Sequence, residues 1–310
     1  MSAPEPRNVP ELFLERVGLT PDAEAFRYPG AEGAWLSLTW ELTERRVRAI
    51  ASGLRALGFA DGEVGAILSS TRIEWILADF AILFAAGATT TIYPSSTSDD
   101  CRFILADSVA TVAFVEDAEQ VAKLVSRRDD LPRLRHVVVF DGGGSADGWV
   151  LTLAQLEERG RAWDGAHPGR FEEAAQAIPG DALATVIYTS GTTGTPKGVE
   201  LTHRCWVSQS AAVVESGILA SPGHVQLFWL PLAHSFGKMV GTAQLRIGFL
   251  TAVDGRVDRL VENLATIRPT FVCAVPRIFE KVRNRVLQSA RDGGAAKRAI
   301  LRWAIELGLE

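Results

Sequence analysis

The chain has 310 residues, 47% of them hydrophobic, and carries 32 basic against 37 acidic side chains for a formal net charge of −5. That is enough apolar material for one large or two ordinary domains, and the mild acidity argues against nucleic acid as the main partner. Cys101, Cys205 and Cys273 are odd in number and far apart, which points to neither a disulfide framework nor a zinc site and fits a reducing cytoplasm.

Met1 to Pro10 holds three prolines and mixed charge but no apolar signal core. Val47, Ile50, Leu54 and Leu57 recur at helical spacing between Thr39 and Gly58, and Val64 to Leu68 follows as a strand. Ile73, Ile76, Leu77, Phe80, Leu83 and Phe84 mark a second helix face, and Ala88 to Tyr93 reads as a strand ended by Pro94. The apolar run from Phe80 to Ile92 is too short to span a bilayer. Strands at 111–115 and 136–140 continue the alternation. Asp141 to Gly148, with its three consecutive glycines, is expected to be a surface loop. Gly160 to Gly180, rich in Gly, Pro, Ala and charge, is expected to link two halves, 1–170 and 181–310. The second half offers strands at 183–188, 225–229, 249–253 and 270–275, then a helical end from Pro276 to Glu310 with Arg277, Lys281, Arg283 and Arg285 on one face. A solvated helix face is the simpler account of those charges. The βαβα series predicts an α/β fold of two βα-type parallel sheets covered by helices.

Residues 188–203 read Tyr-Thr-Ser-Gly-Thr-Thr-Gly-Thr-Pro-Lys-Gly-Val-Glu-Leu-Thr-His. Gly191 and Gly194 permit close backbone approach to a ligand, and exposed N–H groups in such a turn can point at phosphate oxygens. Ser190, Thr192, Thr193 and Thr195 add hydroxyls, and Lys197 adds a mobile positive charge. An apolar strand before the loop and a helix opening at Thr202 suggest a strand–turn–helix anion site. The P-loop of nucleoside triphosphatases does not fit: Pro196 stands where its second glycine belongs, and Gly198 follows the lysine.

The same residues resemble the phosphate-loop signature of the adenylate-forming superfamily, which includes acyl-CoA synthetases, luciferases and peptide-synthetase adenylation domains. Leu230-Pro231-Leu232-Ala233-His234-Ser235-Phe236 looks like that superfamily's second signature. Ala274-Val275-Pro276-Arg277-Ile278-Phe279-Glu280-Lys281-Val282 is similar to a string of long-chain fatty acyl-CoA synthetases. The resemblance runs from about Trp35 to the C-terminus. It implies the large N-terminal domain of such an enzyme, and a reaction in which a long-chain fatty acid attacks ATP to give an acyl-adenylate and coenzyme A then displaces AMP.

The resemblance further implies that Thr189, Ser190, Gly191, Thr192, Thr193, Gly194 and Lys197 hold the β- and γ-phosphates, with Mg²⁺ bridging phosphate oxygens. His234 would line the place where the carboxylate meets ATP. Phe236, Met239 and Val240 either line an acyl channel or pack in the core, and Ser235 and Gly237 leave room beside them. Peripheral contact with a membrane stays open, since fatty acids partition there. Three features of the superfamily have no counterpart: the Tyr-Gly-x-Thr-Glu segment, the ribose-gripping aspartate and the small C-terminal domain with its lysine. The expectation is a truncated first half that does not turn over alone. Two alternatives remain: an adenylate-forming enzyme for another carboxylic acid, and a nucleotide- or lipid-binding module without turnover.

Overall fold

The computed structural model describes residues 5–30, 33–189, 196–219 and 221–308. Two compact units emerge, 1–271 and 272–310.

The strands of the first unit are β1 (Glu24–Pro29), β2 (Trp35–Thr39), β3 (Val64–Leu68), β4 (Ala88–Ile92), β5 (Ala110–Val115), β6 (His136–Val139), β7 (Val150–Thr152), β8 (Leu183–Thr189), β9 (Lys197–Thr202), β10 (Val225–Phe228) and β11 (Leu250–Val253). Its helices are α1 (Val9–Leu19), α2 (Trp40–Ala56), α3 (Ile73–Phe84), α4 (Ser98–Asp107), α5 (Ala118–Val125), α6 (Leu153–Ala166), α7 (Arg170–Ala177), α8 (His203–Glu215), α9 (Ser235–Ile247) and α10 (Leu260–Ile267). The second unit consists of α11 (Pro276–Asp292) and α12 (Gly294–Leu307).

The strands form a seven-stranded sheet, in the order β7-β6-β5-β3-β4-β8-β9, and a four-stranded sheet, β10-β11-β1-β2. This is the α/β architecture the alternating pattern predicts. Each sheet is parallel except at one edge, where β9 runs against β8 and β2 against β1. The parallel strands are apolar because helices cover both faces. Every residue of β3, β4 and β5 is buried. Even the three threonines of β4 lie in the core, where Thr90 donates its hydroxyl to the Val186 carbonyl of β8.

Helices start where capping chemistry permits. Thr39 accepts from Leu42 N–H to open α2, and Thr97 with Asp100 forms a reciprocal capping box on α4. Helices α2 and α6 approach so closely at Gly160 that a Cβ there would stand 1.7 Å from the Ala49 carbonyl oxygen. The stretch 160–180 is structured: it holds the end of α6 and all of α7, whose Phe171 stacks on Phe84 at 4.0 Å and lies under the Arg48 guanidinium. Phe13 of α1 meets Trp40, Phe80 and Phe84 and ties the first helix to α2 and α3.

The strand expected at 270–275 does not form. Only Phe271 makes a bridge, to Gln226 of β10. The N–H groups of Thr270 and Phe271 both donate to the Val225 carbonyl, so the segment begins pinched rather than in an evenly spaced ladder.

Candidate phosphate and acyl site

The glycine- and hydroxyl-rich loop joins two antiparallel strands, not a strand and a helix. After it the chain runs extended through β9, with Thr189 directly opposite Lys197 and Leu183 opposite Thr202. Thr202 then caps α8 by accepting from Cys205 N–H. The chain between Thr189 and Lys197 therefore connects two antiparallel strands and does not lead directly into a helix N-terminus. Thr189 and Lys197 mark its two stems, both exposed. Ser190, Gly191, Thr192, Thr193 and Gly194, with Thr195, lie outside the described residues. Tyr188 is the penultimate residue of β8. Its hydroxyl donates to Asp107 of α4 at 2.6 Å, and burial together with that carboxylate pushes its pKa above the usual phenol value.

His234 stands immediately before α9, extended and solvent-exposed, with the Ser235 hydroxyl 3.4 Å from its Nδ1. Two threonines that follow or end neighbouring parallel strands hold the segment leading to it. Thr71, three residues past β3, donates its hydroxyl to the Leu230 carbonyl at 2.7 Å and accepts from the Leu232 N–H at 3.1 Å. Thr91 of β4 donates to the Ala233 carbonyl at 3.1 Å. Thr91 is also the register partner of Ile187, two residues before Thr189. One hydrogen bond thus brings the residue before His234 to the strand beside the β8–β9 hairpin, outside the carboxyl ends of β4 and β8. Ligands of open α/β sheets bind at such strand ends.

Gly237 lies in the first turn of α9. A Cβ there would meet the Pro231 carbonyl oxygen at 2.6 Å, so its bare backbone lets the first turn of α9 tuck against the Leu230–Leu232 loop. Phe236 and Met239 are half-buried, and the Met239 sulfur accepts from the Gln209 side-chain amide of α8 at 3.4 Å. Val240 is core.

One turn into α9, Lys238 is buried and donates to Asp79 of α3 at 2.7 Å. The Lys238 ammonium also lies 5.6 Å from the Trp206 ring of α8, and Trp206 donates its indole N–H to Thr185 of β8. A continuous chain of contacts therefore runs from β8 through α8 and α9 to α3. Burial lowers the Lys238 pKa against the opposing pull of Asp79. His203 is equally buried, and burial with the Lys238 charge depresses its pKa to about 4. Its Nδ1 accepts the Val9 N–H at 3.3 Å, which ties the start of α8 to α1.

The sequence reading had not singled out Thr71, Thr91, Asp79 or Lys238. Asp79 and Lys238 do carry a signal: a lone charge in an otherwise apolar helical run must find a partner when buried.

Residues 13–305 match the AMP-binding enzyme family. The long-chain-fatty-acid–CoA ligase FadD15 of Mycobacterium bovis is 34% identical over 267 residues, which cover 86% of this chain and 43% of that protein. Among solved structures, a long-chain-fatty-acid–CoA ligase from Archaeoglobus fulgidus superposes with a TM-score of 0.76 at 20% identity, over 93% of this chain and 56% of that one. The A-PCP didomain of carboxylic acid reductase from Segniliparus rugosus, in complex with AMP, gives 0.77 at 21% identity, over 94% and 46%. At such identities the two superpositions speak for the fold alone. The chain spans less than half the length of the curated relatives it matches.

Proposed function

Because this chain belongs to the AMP-binding enzyme family, we propose that it supplies the phosphate hairpin and one wall of the acyl site of an ATP-dependent acid–thiol ligase acting on long-chain fatty acids. The observation that carries the reading is the pairing of Thr189 with Lys197 at the mouth of the hairpin, beside the strand whose Thr91 holds the residue before His234. The similarity to FadD15 supports the fatty-acid assignment.

In this reading the hairpin grips the β- and γ-phosphates of ATP and later pyrophosphate. Lys197 neutralises their charge and aligns the α-phosphorus for attack by the fatty carboxylate. Such chemistry rests on positioning and electrostatics more than on covalent help from the protein. His234, held at a fixed backbone position by Thr91 and Thr71, donates to a carboxylate or phosphate oxygen where the two substrates meet. The carboxylate oxygen forms a bond to the α-phosphorus as the bond to the pyrophosphate oxygen breaks. Coenzyme A then attacks the acyl carbon, and AMP leaves. Among the described residues no group of three metal-ligating side chains stands together. Magnesium would enter with the nucleotide, held mainly by phosphate oxygens.

Half-buried Phe236 and Met239 are the proposed contacts for the start of the acyl chain. The test is acid-dependent pyrophosphate release by the enzyme that carries this segment, with palmitate against benzoate as the acid. Preference for palmitate, lost on Lys197→Ala, is the expected result. Preference for benzoate would assign the site to aryl acids, and release indifferent to Lys197 would remove the hairpin from the chemistry.

A further inference from the structure

His234 is held by its backbone on both sides. Its N–H donates to the Pro231 carbonyl at 3.1 Å, and its own carbonyl accepts from the Lys238 N–H at 3.2 Å. Ahead of it, Thr91 of β4 holds the Ala233 carbonyl. Behind it, one helical turn on, the Lys238 side chain reaches out of α9 to Asp79 of α3 at 2.7 Å. Two nonlocal contacts therefore bracket the histidine, a threonine on a strand and a carboxylate on a helix.

Asp79 is a rigid anchor. Every residue of α3 except Glu74 is buried, and Phe80, next to Asp79, packs against Phe13 of α1. A helix so enclosed in a close-packed interior has little freedom to follow a neighbour that moves. Lys238 is equally committed: it is buried, its ammonium lies 5.6 Å from the Trp206 ring, and its carbonyl accepts from the Thr242 hydroxyl at 3.0 Å. Stability does not require this arrangement, because an apolar pair of similar volume commonly serves as well as a buried ion pair. What the ion pair adds is direction. Apolar contact is non-directional and tolerates sliding and rotation, whereas a charge-assisted hydrogen bond fixes distance and angle. Among the described residues, Lys238 to Asp79 is the one side-chain hydrogen bond between α9 and α3.

We propose that Lys238 and Asp79 are a positioning pair for the reaction at His234: they lock the rotation and height of α9 against α3, and so set where the imidazole meets the reacting carboxylate and phosphate oxygens. The proposal rests on the ligase reading above. It matters for rate because a misplacement of about 1 Å in a reacting constellation costs on the order of a hundredfold.

Two measurements test it. The first uses the chain itself and needs no turnover. Asp79→Leu with Lys238→Met removes the pair while keeping the core filled, and urea denaturation checks the fold. The NMR ring resonances of His234 should shift in this double variant, while those of His167, stacked on Trp163 in another part of the fold, should not. The second follows acid-dependent pyrophosphate release by the enzyme that carries this segment, in the native form, the double variant, His234→Ala and the triple combination. The double variant should lose on the order of tenfold or more in kcat at little change in KM for ATP. Added to His234→Ala it should cost nothing further, since a pair that acts only through the imidazole then has nothing left to place. Asp79→Glu keeps the charges paired but lengthens the link by one methylene; it should show the same pattern, and it takes the place of the double variant if that one does not fold. Unmoved His234 resonances in a folded variant, native kcat in the double variant while His234→Ala is slow, or losses that multiply in the triple combination each overturn the proposal and leave the ligase reading standing. Native kcat in His234→Ala overturns the role given to His234, and the proposal with it.

Discussion

Lys238 and Asp79 meet at 2.7 Å between α9 and α3, with side chains only 5% and 7% exposed. An ion pair so far from water is weak evidence for net stability, since desolvation offsets much of the attraction, but breaking one side strands a charge. Asp79→Ala is expected to cost about 3–5 kcal/mol in urea denaturation. The double replacement Asp79→Leu with Lys238→Met should recover most of that loss. If the double variant is as unstable as the two singles combined, the residues are not coupled.

Thr71 satisfies a carbonyl and an N–H of the loop before His234 with one hydroxyl. Thr71→Val keeps the shape and orphans both groups, for an expected cost of about 1–3 kcal/mol. The denaturation midpoint should fall with an unchanged slope. Amide exchange should quicken at Leu232. An unchanged midpoint would mean that the loop is held by packing alone.

His203 sets a pH dependence. Its pKa is depressed from the ordinary 6.5 to about 4 by burial and by Lys238. Its place at the start of α8 also disfavours a positive charge. The unfolded chain therefore binds a proton that the folded chain refuses between those values. The stability tied to this group is present in full above pH 6.5 and is lost as pH falls toward 4, by on the order of 3 kcal/mol. His203→Gln should flatten that part of the stability–pH curve. An equally steep curve in the variant would assign the dependence to other groups.

The sheets were legible because buried parallel strands declare themselves: Val64 to Leu68 and Ala110 to Val115 are apolar runs between helical patterns. β9 was not. As an antiparallel edge strand it exposes Lys197 to Glu200, so Lys-Gly-Val-Glu-Leu-Thr carries no run of apolar residues to betray it. The site divides the same way. The loop around Lys197 and the segment around His234 are local strings and could be read directly. What joins them is nonlocal: Thr91 reaches the Ala233 carbonyl across 142 positions, and Thr71 reaches Leu232 across 161. A threonine in a strand looks like any other until the fold supplies its acceptor. Gly237 is a related case, since its close contact is with the Pro231 carbonyl oxygen and cannot be read from the residues beside it in the α9 turn.

The central claim is that the hairpin stemmed by Thr189 and Lys197 grips a polyphosphate. Its most direct test is calorimetric titration of the chain with pyrophosphate and with ATP, comparing the native sequence with Lys197→Ala. Lys197 is exposed, so the substitution should leave the fold intact. The account predicts that both ligands bind and that each loses on the order of tenfold in affinity, about 1.4 kcal/mol, without the lysine. Binding of equal strength in the two proteins, or no binding of either ligand to the native chain, would contradict it.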